Sequence, residues 1–214
     1  MNATRREPFQ LALAELRRRL AAGTYPPGTR LAAADLAGEL GLSATPIREA
    51  LARLAGEGLL DERRGEGAFL PLYAGQDVAD LYRLSQAHLQ AALQGAHVDR
   101  PANGLGAAIL ERPADAASAV VAADRLFAGW VAEQAGRRLA LSFGRLQLQL
   151  APVRRLEPLC LPDLTAEWAR LAAADRGGAR ERLAAVRQFH ARRVRMAGRL
   201  ADALAGGRPA IAPL

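Results

Sequence analysis

Ser43, Thr45, Arg48 and Arg53 fall at polar positions of one stretch, "GLSATPIREALARLAGEGLL", residues 41–60. Hydroxyls donate and accept hydrogen bonds. Guanidinium groups only donate, in a planar fork that matches paired acceptors. On a helix lying in a DNA major groove, such a set could meet phosphate oxygens and base edges. Shortly after it, "ERRGEG" gathers Arg63, Arg64, Gly65 and Gly67. That is cationic chemistry at a point where glycine lets the backbone turn tightly.

These residues need elements to hold them. Ser43 is a suitable N-cap, and Ala44, Thr45 and Pro46 make a first turn, where a missing N–H costs little. Ile47, Ala50, Leu51 and Leu54 then recur at helical spacing as an apolar face, which leaves Thr45, Arg48, Glu49, Ala52 and Arg53 pointing elsewhere. Gly56 and Gly58 end this helix. Before it, "RLAAADLAGELG" predicts a short amphipathic helix with Leu31, Ala34, Leu36, Ala37 and Leu40 as its apolar set, closed by Gly41. Two short helices joined by a tight glycine turn describe a helix-turn-helix. Upstream, "QLALAELRRRLAAG" predicts a longer helix packed through Leu11, Leu13, Leu16 and Leu20, and "TYPPGTR" an extended connector. Downstream, "LLDERRGEGAFLPL" reads as strand, glycine-rich turn, strand, with the arginines at the tip. The sum is a winged helix-turn-helix whose polar recognition face would lie on double-stranded DNA.

Across "YPPGTRLAAADLAGELGLSATPIREALARLAGEGLLDERRGEGAFL" the chain resembles the DNA-binding domain of GntR-type bacterial regulators. The likeness runs from PPG-T-x-L through LA-x-x-LG-x-S-x-TP-x-REAL-x-RL to EGLL and an RRG-x-G-x-F wing. It implies operator reading through the start of the recognition helix and the wing, hence through Ser43, Thr45, Arg48, Arg53, Arg64, Gly65 and Gly67. One departure is Ala44, where the family usually has arginine. Its methyl could touch a thymine methyl but can donate to neither guanine nor phosphate. Ala32, Ala33 and Ala34 also stand where polar residues are common, so the operator or the affinity should differ from those of typical relatives.

Composition permits this reading without carrying it. All 29 basic residues are arginine, and the net charge is +7. Yet residues 1–70 hold ten arginines against nine acids, and the remainder nineteen against thirteen. The positive excess thus lies outside the winged helix and reads as a solvated arginine-rich helix surface. The lysine-free, Ala/Leu/Gly-rich usage also fits a GC-rich genome. One cysteine, Cys160, excludes an internal disulfide and suits a reducing compartment. The sequence shows neither a signal peptide nor an apolar run long enough to span a bilayer, so a cytoplasmic protein is expected.

The length fits two domains, residues 1–75 as the winged helix and 76–214 as an all-helical domain. The second part predicts five amphipathic helices: 77–97, with Val78, Leu81, Leu84, Leu89 and Leu93 inward; 115–136; 137–156; 163–178, capped by Asp163 or Thr165; and 179–207, the longest. "DRPANGLG" at 99–106 interrupts, Pro158 and Pro162 frame a loop, and the tail 208–214 is too proline-rich to be helix. The alternating "LQLQL" at 146–150 could pass for a strand, but its flanks are helical. The fold class expected is therefore mainly α, with a small β-hairpin wing and a C-terminal antiparallel helical bundle.

An all-helical domain in this place resembles the FCD ligand domain of the FadR-like branch of the GntR family. The resemblance implies homodimerisation and an effector cavity that often holds a divalent metal through one aspartate and three histidines. Here "DRLFA" keeps Asp124 and Phe127 but places Ala128 at a histidine position, and Glu167-Trp168 places tryptophan at another. His190, twenty-two residues beyond Trp168, matches the last histidine. Two ligands fall short of the three or four donors a transition metal needs. No metal and no other cofactor is therefore expected, and His190 reads as a core or pocket residue. Trp168 would fill part of the cavity. A small-molecule effector would meet Asp124, Ala128, Trp168 and His190 without a bridging ion. Phe127 and Trp130, one turn apart, read as core.

Two functions remain open at this level. One is a DNA-binding transcriptional regulator, a repressor modulated by a small molecule and acting as a homodimer on an inverted repeat. The other is a helical ligand-binding protein or enzyme carrying an inactive winged helix, with Asp124 and His190 as an acid–base pair. The sequence lacks a nucleophile–base spacing and a phosphate loop, and this favours a protein that is not an enzyme.

Overall fold

The computed structural model describes residues 3–95 and 112–206. The expected interruption at 99–106, the last two residues of the helix read over 77–97, and the tail at 208–214 lie outside the described residues. The chain divides into two compact units, Met1–Tyr73 and Ala74–Leu214.

The first unit runs α1 (Ala3–Ala21), β1 (Arg30–Leu31), α2 (Ala33–Leu40), α3 (Ala44–Gly56), β2 (Asp61–Arg63) and β3 (Gly67–Phe69). Its core is made where the apolar stripes of three helices meet. Leu13 and Leu16 of α1, Leu36 of α2, and Ile47, Leu51 and Leu54 of α3 are all buried, joined by Leu59 and Leu60 ahead of β2. Each such side chain contributes about 1.5–3 kcal/mol of burial. Gly41 ends α2 at φ 64, a left-handed conformation that lets only Leu42 and Ser43 separate the two helices of the turn.

The register differs from the sequence expectation in four places. Leu31 belongs to β1, not to α2, and pairs with Ala68, while Arg30 pairs with Phe69. The wing is therefore a three-stranded antiparallel sheet of order β1-β3-β2. The connector "TYPPGTR" ends as a strand because Phe69 and Ala68 offer it an open ladder edge. Leu11 is 58% exposed, and Ala12 takes the buried position beside Leu13. Ala34 is exposed, so the apolar face of α2 is narrower than expected. Helix α1 also begins earlier than Gln10 and runs through Pro8, which gives up one intrahelical hydrogen bond.

The second unit is helical throughout its described residues: α4 (Gly75–Gln94), α5 (Ala116–Gln134), α6 (Arg137–Arg154), α7 (Glu157–Cys160), α8 (Leu164–Gly177), α9 (Ala179–Arg195) and α10 (Ala197–Leu204). Helix α4 packs against α5, α6, α9 and α10, and α8 packs against α5 and α9. An Asp115–Ser118 capping box starts α5: the Ser118 N–H donates to Asp115 Oδ1 at 2.8 Å, and the Asp115 N–H donates to Ser118 Oγ at 3.0 Å. Leu146 and Leu150 are buried one turn apart, the helical answer for the "LQLQL" stretch.

Four expectations change here. Leu84 is 50% exposed, and Ala79, Tyr82 and Ser85 face inward with Val78 and Leu89 instead. The segment after Pro158 forms the short helix α7, because proline is tolerated in a first turn. The long last helix breaks at Met196, so α9 and α10 are separate. Asp163 does precede α8, but in a left-handed conformation (φ 56) and without a side-chain capping bond.

Candidate functional site

Helix α3 presents the polar face that its spacing implies. Ser43, Thr45, Arg48, Glu49, Ala52 and Arg53 are exposed, while Pro46, Ile47, Ala50, Leu51 and Leu54 are buried. Ser43 sits at the N-cap with extended backbone, yet its hydroxyl makes no capping bond and stays available for another acceptor or donor. Arg48 lies one turn beyond Thr45.

Arg53 is held differently. Its Nε donates to Glu57 Oε1 at 2.7 Å, and Arg17 Nη2 donates to the same carboxylate at 2.6 and 2.8 Å. The Glu57 side chain is 3% exposed, that of Arg53 54%. Burial pushes the Glu57 carboxyl up, but the two guanidinium groups outweigh it and hold its pKa below the usual range. Arg53 therefore ties the end of α3 to α1 through Glu57 while keeping an exposed outer edge.

At the wing, residues 64–66 form the turn between β2 and β3, and the Glu66 N–H donates to the Arg63 carbonyl at 2.9 Å. Arg64 is exposed at this turn. Gly65 adopts φ 78 and Gly67 φ 106, a region that side chains rarely enter. The Arg63 guanidinium covers the Phe69 ring at 4.2 Å and stiffens the hairpin. Arg30 is a cation that the sequence reading left out. It is exposed, and a side chain added at Gly67 would stand 3.6 Å from its Nε. Only the pairing of β1 with β3 reveals this placement; nothing local to "GTRL" marks it.

The interior of the second unit departs from the expected pocket. Asp124, Ala128, Trp168 and His190 stand in different surroundings among the described residues. Ala128 is exposed. Trp168 is buried, and the packing around Ala123, Trp168 and Phe189 leaves no room for a water molecule. His190 is fully buried. Its Nδ1 donates to the Val186 carbonyl at 2.7 Å, which leaves Nε2 to accept from the Ser85 hydroxyl at 3.1 Å. Burial lowers its pKa to about 3, so it is neutral. Asp124 faces Arg154 instead, with Oδ1 2.9 Å from Nη2. That oxygen is enclosed although the side chain as a whole is 38% exposed, and its desolvation raises the carboxyl pKa against the pull of Arg154. Asp124 and His190 thus have separate partners, and no acid–base pair forms between them. Among the described residues, no three His, Cys, Asp or Glu side chains converge as a metal site. Cys160 is buried with its Sγ 3.8 Å from the Arg199 carbonyl.

The centre is filled by an ionic network that amphipathic periodicity does not reveal. Arg193, 1% exposed, donates from Nη2 to Glu157 Oε2 at 2.7 Å and to Glu167 Oε2 at 2.8 Å. Its Nε adds a bond to Glu157 Oε1 at 2.9 Å, and the Tyr82 hydroxyl donates to the same oxygen at 2.5 Å. The Arg193 guanidinium also lies 3.2 Å from the centre of the Phe189 ring. Burial raises the Glu157 carboxyl, but Arg154 and Arg193 outweigh it and hold its pKa at about 2. Each charge has a partner on another helix, which is the condition for burying it at all.

Residues 10–70 match the family model described as "Bacterial regulatory proteins, gntR family". An uncharacterised helix-turn-helix transcriptional regulator of Agrobacterium vitis is 32% identical over 109 residues, half of this chain and 62% of that protein. The Nta operon transcriptional regulator of Aminobacter aminovorans is 40% identical over 60 residues, 28% of this chain and 29% of that protein. The matches therefore span less than two thirds of either relative. By structure, E. coli McbR/YncC superposes with a TM-score of 0.65 over 89% of this chain and 96% of that one, at 18% identity, a likeness of fold. With motif, strand register and family model coinciding over residues 10–70, the N-terminal unit has a winged helix-turn-helix fold and is similar in sequence to the gntR family of bacterial regulatory proteins.

Proposed function

We propose that the whole chain is a sequence-specific transcriptional regulator, a repressor of the FadR-like branch with an FCD-type helical domain, acting in the cytoplasm as a homodimer on an inverted repeat. The observation that carries the reading is the exposed Ser43, Thr45 and Arg48 on α3, in the same unit as a wing with Arg64 at its turn. A hydroxyl and a guanidinium one turn apart suit base edges and phosphates, and two left-handed glycines let the wing backbone come close to a sugar-phosphate strand. Arg53 supports the same surface with its exposed edge. Ala44 gives this chain an apolar contact where relatives commonly donate, and therefore a different operator preference. The helical unit supplies dimerisation and takes a small-molecule effector without a metal ion. In support, the curated relatives are themselves named transcriptional regulators.

Selection of duplexes from a random pool by the full chain, followed by binding measurements at fixed salt, tests this. The expected result is an enriched two-fold symmetric motif bound far more tightly than scrambled duplex. Uniform recovery of all sequences would overturn it.

A further inference from the structure

The wing sets Arg30, Arg63 and Arg64 against Asp61, Glu62 and Glu66, so its composition gives it no net sign. The pairing of its strands separates the charges by side. Residues opposite each other in an antiparallel ladder share a face, and neighbours along a strand alternate. Leu31, Ala68 and Glu62 lie across from one another on one face, with Leu31 and Ala68 buried. Arg30, Phe69 and Asp61 lie on the other, together with Gly67 and its partner Arg63. The outer face therefore carries both arginines and a single aspartate.

Contacts across that face run diagonally. Arg63, paired with Gly67, leans over the Phe69 ring at 4.2 Å. Arg30, paired with Phe69, leans to Gly67, where an added side chain would stand 3.6 Å from its Nε and 3.9 Å from Nη2. The two arginines thus flank Gly67 from β1 and β2, with bare backbone between them. Arg30, Asp61 and Arg63 are exposed, and neither arginine makes an ion pair among the described residues. Both side chains lie along the sheet and not out from it. That suits the phosphates on the rim of a groove better than base edges on its floor. A guanidinium fork matches phosphate oxygens in pairs.

We propose that Arg30 is a phosphate-contacting residue of the wing, which together with Arg63 takes a DNA backbone phosphate on the outer face of the sheet. The proposal rests on the DNA-binding reading above and adds a cation from outside both the recognition helix and the wing turn. β1 thereby takes part in binding, because its pairing with β3 is what brings Arg30 beside Gly67. A phosphate contact carries no sequence information, so Arg30 contributes equally on any duplex.

Fluorescence anisotropy of the full-length protein across a salt series tests this on two labelled duplexes, one of random sequence and one recovered by the selection above. Arg30→Gln should weaken both complexes about tenfold at low salt. It should also lower the slope of log affinity against log salt by about 0.9. Arg30→Lys should keep the slope, since charge sets it. Arg187→Gln, at an exposed arginine of α9, should change neither quantity. Unchanged affinity and slope in Arg30→Gln would overturn the contact. So would a loss confined to the selected duplex, the mark of a base contact, or an equal loss in Arg187→Gln, the mark of net charge alone. Far-UV circular dichroism checks that Arg30→Gln folds, and Arg30→Met repeats the measurement with the apolar stem kept. The two readings fail separately. A wild type with no preference between the duplexes refutes specific regulation, while the Arg30 contact is still read on the random one; binding to neither overturns both.

Discussion

Arg48 and Arg53 stand on the same exposed face of α3 but carry different loads. Arg48 makes no hydrogen bond or ion pair among the described residues, so Arg48→Ala should leave folding intact and weaken operator affinity by about 1–3 kcal/mol if it reads a base. Anisotropy titration at fixed salt checks this, and unchanged affinity would refute the assignment. Arg64→Ala should act more gently, mainly by flattening the salt dependence of binding. In the interior, Arg193→Met strands Glu157 and Glu167 without their shared cation and should cost about 3–5 kcal/mol. The chain's two tryptophans, Trp130 and Trp168, are both buried in the helical unit, so tryptophan emission during urea unfolding follows that unit. The same readout tests a pH dependence. His190 stays neutral down to about 3 when folded but takes up a proton near its ordinary value of 6.5 when unfolded. Glu157 stays charged down to about 2 when folded and protonates near 4.5 when unfolded. In both windows the unfolded chain binds more protons, so stability falls as pH falls. Stability should decline from pH 6.5 downward through His190 and further below 4.5 through Glu157, and His190→Gln should remove the upper part of the decline. A wild-type profile that is flat from pH 7 to 5 would contradict this.

At the scale of elements, two glycines of the helix-turn-helix make a matched test. Neither Gly38 nor Gly41 has an atom within 4 Å of the place a Cβ would occupy, so packing contributes nothing at either. Backbone conformation alone separates them. Gly38 lies inside α2, and Gly38→Ala should stabilise the unit by about 0.4–1 kcal/mol by restricting the unfolded chain. Gly41 is held at φ 64, where an L side chain is strained, so Gly41→Ala should destabilise by about 1–2 kcal/mol. Far-UV circular dichroism during denaturation gives the sign of each change, and the same sign at both positions would show that the turn relaxes on substitution. Helix α3 also ends on a glycine: with Gly58 at φ 72, its N–H donates to the Ala55 carbonyl at 2.9 Å and the Leu59 N–H to the Leu54 carbonyl at 3.0 Å, and the Arg17–Glu57–Arg53 cluster adds to that end.

For the whole molecule, the proposed DNA recognition and the proposed dimerisation are linked by symmetry. A homodimer with two-fold symmetry imposes a two-fold site, so the operator should be a short inverted repeat. Sedimentation velocity should give a dimer at micromolar concentration, and a monomer bound to a single asymmetric half-site would count against it. The net charge is compatible with a polyanion partner, but most of the arginine excess lies beyond residue 70. On the proposed reading, specific contacts on α3 and the wing carry recognition. Among the described residues, no helix is long and apolar enough to cross a membrane.

The winged helix was legible in the sequence because its determinants are local. Ser43 and Pro46 mark a helix start, Gly41 a left-handed turn, and Ile47, Ala50, Leu51 and Leu54 a 3.6-residue period. Each acts within a few residues of itself. The helical character of the second part followed from the same periodicity. What the sequence left open depends on partners far along the chain. β1 exists because Arg30 and Leu31 find Phe69 and Ala68 across about forty residues. Leu11 and Leu84 carry the right residue type for a core, but the neighbouring helices lie on the sides of Ala12 and Tyr82. Asp124 and His190 keep the residue types of a metal site. Only the packing directs one to Arg154 and the other to Ser85 and Val186. Glu157, Glu167 and Arg193 read one at a time as solvated charges. A buried charge is tolerated only with its partners in place, and those partners meet only when α7, α8 and α9 pack together.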